Sequence, residues 1–148
     1  MLAHGAGISG SRCLVLRPDT DSGRNVSAFP VGVGHLSNFE AFFDALIECP
    51  TNRTPAVGFG FVLNLPEGIP APRLPPVDPV TFPRNTWLTA RATLRGTDYC
   101  FEVFQSTNRI ARRAFYLRTP GAVPGVNLET DDKSCRLLVD NFRIRRLE

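Results

Sequence analysis

"NFEAFFDALIECPTNRTPAVGFGFVLNL", residues 38–65, has two readings, and the choice between them decides the fold. Phe39, Ala41, Phe43, Ala45, Ile47 and Cys49 alternate with Glu40, Phe42, Asp44, Leu46 and Glu48. One parity is wholly apolar and every charge lies on the other, the period-two signature of a strand. At helical spacing, Phe39, Phe42, Phe43, Leu46 and Ile47 also form a stripe, so the local pattern is close to a tie. The neighbours break it. Pro50 and Pro55 bracket the polar turn "TNRT", and "AVGFGFVLNL" (56–65) is Gly-interrupted, aromatic and β-branched, which suits a strand and not a helix. The stretch therefore reads as two strands joined by a short turn, a hairpin.

The rest of the chain agrees with an all-β reading. Residues 1–10 are small and Gly-rich and read as a flexible terminus; residues 11–148 read as a single β-sandwich domain. "SRCLVL" (11–16) is a first strand, and "RPDTDSGRN" (17–25) is turn chemistry. The segment 66–83 carries seven prolines and reads as a loop or extended edge within the domain. "NTWLTARATLRG" (85–96) alternates Leu88, Ala90, Ala92 and Leu94 with Trp87, Thr89, Arg91, Thr93 and Arg95. Past a turn at Gly96, Tyr99, Phe101 and Val103 share one face, and Cys100, Glu102 and Phe104 the other. "RRAFYLR" (112–118) is a third strand, 119–127 a Gly/Pro loop, and "SCRLLVDNFRIRRL" (134–147) a long final strand. The expected total is seven to ten strands.

Composition narrows the classes. With 43% hydrophobic and 21% charged residues, the chain has enough apolar material to bury a core. No apolar run is long enough to span a membrane, and no signal peptide is visible in "MLAHGAGISGS". Two sequons, Asn25-Val26-Ser27 and Asn52-Arg53-Thr54, tilt the expected location toward the extracellular side or a surface. The net charge of +3 is mild, and the basic residues are 16 Arg against one Lys, Lys133. They are scattered, which argues against a nucleic-acid surface. Cys13, Cys49, Cys100 and Cys135 show no metal-type spacing. Buried thiols are the default for them; Cys13 and Cys135, in the first and last strands, are the pair considered for a disulfide.

Three stretches resemble the concanavalin A-like lectin/glucanase (laminin-G-like) jelly-roll group. "NFEAFFDALIECP…TPAVGFGFVL" is similar to its paired strands, in which an "sFea-F-f-i" strand leads through a proline into an "aDGfaFvl" strand. "NTWLTARATLRGTDYCFEVF" resembles its "W-x-v-x-v-x-x-G-x-x-y-x-v" hairpin, and "GVNLET…CRLLVDNFRI" its closing strand. The resemblance covers 38–65 and 85–147 and implies an all-β, concanavalin-like antiparallel β-sandwich (jelly roll), with a carbohydrate-module jelly roll as the alternative topology. The departures are specific. The position of the lectins' sugar-holding Asp is Val57, followed by Gly58. The strand that should bring acidic metal ligands is replaced by the Pro-rich segment, with only Glu67 and Asp78. The glucanase E-x-D-x-(x)-E pattern has its nearest string in Glu129-Thr130-Asp131-Asp132-Lys133, which lacks the final Glu. No metal and no cofactor are expected, and a non-catalytic role is favoured over an enzyme.

The candidate site follows from parity. Trp87, Arg91, Glu102, Phe104 and Arg112 fall on the polar parity of neighbouring strands, with Tyr116 following Arg112 on the third. A ring there stacks on a sugar face while Arg and Glu bond its hydroxyls; the bland alternative is a packed Trp87 beside a solvated arginine face. "GAGISG" (5–10) lacks the strand and helix that a dinucleotide loop needs, and His4 and His35 have no ligand or triad partners. Asp140-Asn141 in the last strand reads as a backbone-satisfying bend. Three functions are carried. The first is a non-catalytic glycan-binding module. The second is a structural or protein-interaction domain of a surface or viral assembly, using the Phe42/Leu46 parity or the Pro-rich arm. The third is a glycoside hydrolase or lyase with a non-standard site drawn from Glu40, Asp44, Glu48 and Glu102. Carbohydrate or another protein is the expected partner.

Overall fold

The computed structural model describes residues 2–3, 13–18, 25–49, 57–64, 82–117, 121–130 and 133–147. Every regular element among them is a strand: β1 (Leu2–Ala3), β2 (Cys13–Leu16), β3 (Asn25–Ala28), β4 (Asn38–Glu48), β5 (Val57–Asn64), β6 (Trp87–Arg95), β7 (Asp98–Gln105), β8 (Asn108–Tyr116), β9 (Val123–Thr130) and β10 (Arg136–Arg146). They form a seven-stranded sheet, β1-β2-β10-β4-β6-β7-β8, and a three-stranded sheet, β3-β9-β5. All pairings are antiparallel. The Asn52 sequon, "GAGISG", His4, Asp131, Asp132 and most of the Pro-rich segment lie outside the described residues.

The opening stretch is indeed strand, with β4 alternating buried and half-buried along its whole length. It is not a hairpin. β4 pairs with β10 on one side and β6 on the other, whereas β5 pairs with β9 in the opposite sheet. Both edges of β4 are already satisfied, so the chain crosses the sandwich instead of folding back. The apolar parities of the two strands then meet face to face. The Phe43 ring lies 4.8 Å from that of Phe61 and 5.9 Å from that of Phe59, both edge-on. Phe82, near the end of the Pro-rich segment, is buried against Phe59. Phe101 of β7 meets Phe61, the ring centres 5.8 Å apart and edge-on.

Four further expectations are corrected. Residues 119–127, expected to be a Gly/Pro loop, contain the start of β9, the middle strand of the smaller sheet. Pro124 is tolerated there because β3 pairs only from Val126 onward, so its missing N–H faces an unpaired edge. Gly125 is demanded by close approach: a Cβ would lie 2.5 Å from the Ala28 carbonyl oxygen. Second, Leu2–Ala3, within the segment expected to be flexible, pairs with β2. Third, β8 begins at Asn108 rather than at Arg112. Fourth, Cys135 is bonded to Cys49, not to Cys13. β10 runs antiparallel to β4 with Arg136 opposite Glu48, so the residues flanking that pair are neighbours, 4.4 Å apart at Cα. Cys13 comes one step past the Leu14–Val139 pair, about 16 Å along the strand from Cys135. Cys13 and Cys100 are free thiols, and burial pushes the Cys13 thiol up.

Two bulges set which side chains face outward. Between Asp140 and Arg143 β10 carries an extra residue, and Asn141 takes a left-handed φ of 54° there. Its N–H donates to the Asp140 carboxylate, and its side chain donates to Asp44, in keeping with the expected bend. The parity switch puts Phe142 and Ile144 against the core while Arg143 and Arg145 face out. β8 bulges at Ile110, between the Val103–Ala111 and Phe104–Arg109 pairs. Arg109 and Arg112, three residues apart, would face opposite ways in a regular strand; the bulge turns both outward.

Candidate functional site

The outer face of the seven-stranded sheet carries the residues singled out from the sequence. Cross-strand register arranges β6, β7 and β8 into rows. Arg91, Glu102 and Arg112 form one row; Thr93, Cys100 and Ala114 the next; Arg95, Asp98 and Tyr116 the third. The middle row is short side chains between two rows of long ones. It forms the floor of an open depression of about 430 Å³, rimmed by Arg95, Asp98, Arg112 and Tyr116. Tyr116 is 80% exposed, against 42% for Phe29.

The five expected residues are divided. Arg91, Glu102 and Phe104 come together. Arg91 donates from Nε (3.2 Å) and Nη2 (2.7 Å) to Glu102 Oε1, and its guanidinium lies 5.3 Å from the centre of the Phe104 ring. Arg109, not Arg112, is the second partner of Glu102, donating to Oε2 at 3.2 Å. The Ile110 bulge is the reason, and no strand pattern in the sequence marks it. Burial pushes the Glu102 carboxyl up, but hydrogen bonds from Arg91 and Arg109 outweigh it and hold the group below the usual range. The same bond to Glu102 pushes Arg91 up. Arg112 stands opposite Glu102 in register but makes no ion pair with it, and it lines the depression instead.

Trp87 is elsewhere. It is half-buried and packs with Leu46 on a small apolar cluster of Cys13, Val15 and Leu138, across the outer face from the depression. The exposed aromatic of the face is therefore Tyr116, which parity had placed beside Arg112 on the third strand. Its parity with Arg112 was available in "RRAFYLR", but its exposure depends on β8 being the last strand of the sheet.

The carboxylates proposed for a hydrolase are each held by a neighbour. Glu40 pairs with Arg145 (2.9 Å) and Glu48 with Arg136. Asp44 accepts from Thr89 (3.0 Å) and Asn141 (2.8 Å). Along β4 these three acids are spaced four residues apart, about 13 Å for each step, wider than a pair of glycosidase carboxylates requires. Val57, the position of the lectins' sugar-holding acid, begins β5 in the other sheet. Among the described residues no three His, Cys, Asp or Glu side chains converge, so these residues do not fit a lectin-type metal site. Among the described residues no helix is long and apolar enough to cross a membrane.

No family model and no curated protein matches the sequence. Solved structures do match the fold. The Ca2+-bound exoplasmic/lumenal domain of VIP36 aligns with a TM-score of 0.63 at 9% identity, covering 92% of this chain and 79% of that one. A sialidase aligns at 0.58 and 11% identity, covering 94% of this chain and 16% of that one. A legume lectin-like domain from Entamoeba histolytica aligns at 0.50 and 12% identity, covering 92% and 90%. At such identities the likeness is one of fold: the chain has the concanavalin A-like lectin fold, an all-β antiparallel sandwich.

Proposed function

We propose that this chain is a non-catalytic glycan-binding module whose ligand rests in the outer-face depression of β6, β7 and β8. The observation that carries the reading is the combination found there. A floor of short side chains admits a flat ligand, an exposed Tyr116 ring stands at the rim, and Arg95, Arg112 and Asp98 offer donors and an acceptor. A sugar ring has one apolar face for stacking and hydroxyls for such groups. The fold supports the reading by analogy, since the VIP36 domain has been crystallised with mannose and with Man3GlcNAc. Of the residues expected from the sequence, Arg112 contacts the ligand in this reading. Arg91, Glu102 and Phe104 form the adjoining wall, and Trp87 contributes to stability alone.

The test is a glycan-array and polysaccharide-gel screen of the purified chain, with Tyr116→Ala and Trp87→Ala in parallel. Binding lost in Tyr116→Ala and kept in Trp87→Ala is the expected result. The reverse pattern moves the site to the Leu46/Leu138 patch. A folded protein that binds no glycan favours the second reading, a structural or protein-interaction domain. One observation supports that reading: β8 is paired on one side only among the described residues, leaving a row of backbone donors and acceptors for another strand.

A further inference from the structure

We infer that the depression takes an anionic glycan, one bearing sulfate or carboxylate groups; this rests on the glycan-binding reading above and names its ligand class. Glu40 is matched by Arg145, Glu48 by Arg136, and Asp44 by the neutral donors Thr89 and Asn141. Arg143 lies over the Phe42 ring at 4.9 Å. Glu102 is shared by Arg91 and Arg109, so the third arginine facing it, Arg112, has no acid left. Arg95 closes the opposite side of the depression, and neither it nor Arg112 makes an ion pair among the described residues. Asp98 is the one carboxylate on the rim. Around the depression, four arginines (91, 95, 109 and 112) thus face two carboxylates, Glu102 and Asp98.

The placement of this surplus also decides between ligands. Arg95 and Arg112 stand in rows four residues apart, about 13 Å along the strands, with the short-residue floor between them. Two guanidinium forks at that separation reach two acidic substituents of one oligosaccharide, or one from either side. Tyr116 in the same row as Arg95 adds the stacking face. A nucleic acid would need a continuous basic track, whereas on the remainder of this face Arg136 and Arg145 are held by acids and Arg143 lies over the Phe42 ring. Asp98 would repel a backbone of closely spaced phosphates but accepts a hydroxyl of a sugar.

The experiment titrates the full chain with dextran sulfate, chondroitin, unmodified dextran and a single-stranded oligonucleotide at physiological ionic strength. Variants are Arg95→Gln, Arg112→Gln, their double, and Arg146→Gln as a charge-matched change on an exposed residue at the end of β10, of the opposite parity to the outer face. Dextran sulfate or chondroitin should bind where dextran does not, and the double variant should weaken binding at least about tenfold, as expected for the loss of two charge-assisted contacts. Arg146→Gln should leave binding unchanged. Equal losses in Arg146→Gln and in the double variant would mean diffuse attraction to net charge and would overturn the inference. Neutral glycans bound with equal affinity by wild type and double variant would overturn it while leaving the glycan reading intact. Failure of every polysaccharide, neutral or acidic, on the array and in the titration would sink both. An oligonucleotide that displaces dextran sulfate and is itself lost in the double variant would reassign the site to a phosphate backbone.

Discussion

Glu102→Gln tests the charge arrangement on which the outer face depends. The substitution keeps shape and one acceptor oxygen but removes the charge that holds Arg91 and Arg109. Glu102 receives three N–H donors and its side chain is 10% exposed, while Arg91 and Arg109 are 37% and 52% exposed. A unit-charge pair at such distances is worth about 4 kcal/mol at an effective dielectric of about 20, and solvent screening of the two arginines reduces it steeply. Hydrogen bonds to a charged group contribute about 1.5–3 kcal/mol, and the variant retains part of them, so a loss of about 2 kcal/mol at pH 7 is expected. The pH dependence has a definite sign. The folded carboxyl lies below its ordinary value of 4.5, so the folded state binds this proton less tightly than the unfolded chain. Its contribution is full above that ordinary value and is lost as pH falls through the folded one. Urea unfolding of both proteins at pH 7 and at progressively lower pH isolates the effect, because every other group titrates alike in the two. The difference between them should shrink on the acid side and vanish once Glu102 is protonated. A difference that is constant with pH, or absent at pH 7, refutes the reasoning. The variant should also bind dextran sulfate more tightly than wild type, because Arg91 and Arg109 become available beside Arg112.

Three further outcomes are expected. The Cys49–Cys135 bond closes a sequence separation of 86 residues, which in the chain-entropy model stabilises the fold by about 4–5 kcal/mol. Thiol titration in denaturant should find two free thiols before reduction and four after, with a large drop in urea midpoint on reduction; four thiols at the outset would contradict the assigned pairing. Gly125→Ala forces a Cβ toward the Ala28 carbonyl and should destabilise by about 1–3 kcal/mol, with loss of amide exchange protection first in β3. Phe43→Ala removes the ring that joins the two sheets and should cost about 3–5 kcal/mol in chemical unfolding, whereas Tyr116→Ala should cost almost nothing.

Alternation of apolar residues was enough to assign β4, β6, β7 and β10 to strands and, for β4, β6 and β7, to say which side chains face inward. Period-two patterning records a face directly, because each side chain's direction follows from its own position in the strand. It also brought Arg91, Glu102 and Phe104 onto one surface, as β6 and β7 are joined by a tight turn at Gly96, where φ is +61°. What the pattern does not record is partnership. Whether β4 folds back on β5 or crosses to the other sheet, whether Cys135 meets Cys13 or Cys49, and whether Pro124-Gly125 is a loop or a strand at an edge all depend on which strand lies alongside. That is set by contacts between residues far apart in the chain. The same holds for the candidate site. Arg109 displaces Arg112 from Glu102 through a bulge at Ile110, Trp87 withdraws onto an apolar cluster shared with β2, and Tyr116 is exposed because β8 ends its sheet. The sequence alone determined most of the strands and the inward faces of β4, β6 and β7; only the tertiary structure, through strand order and register, decided which outward side chains stand together and which cations are left without an acid.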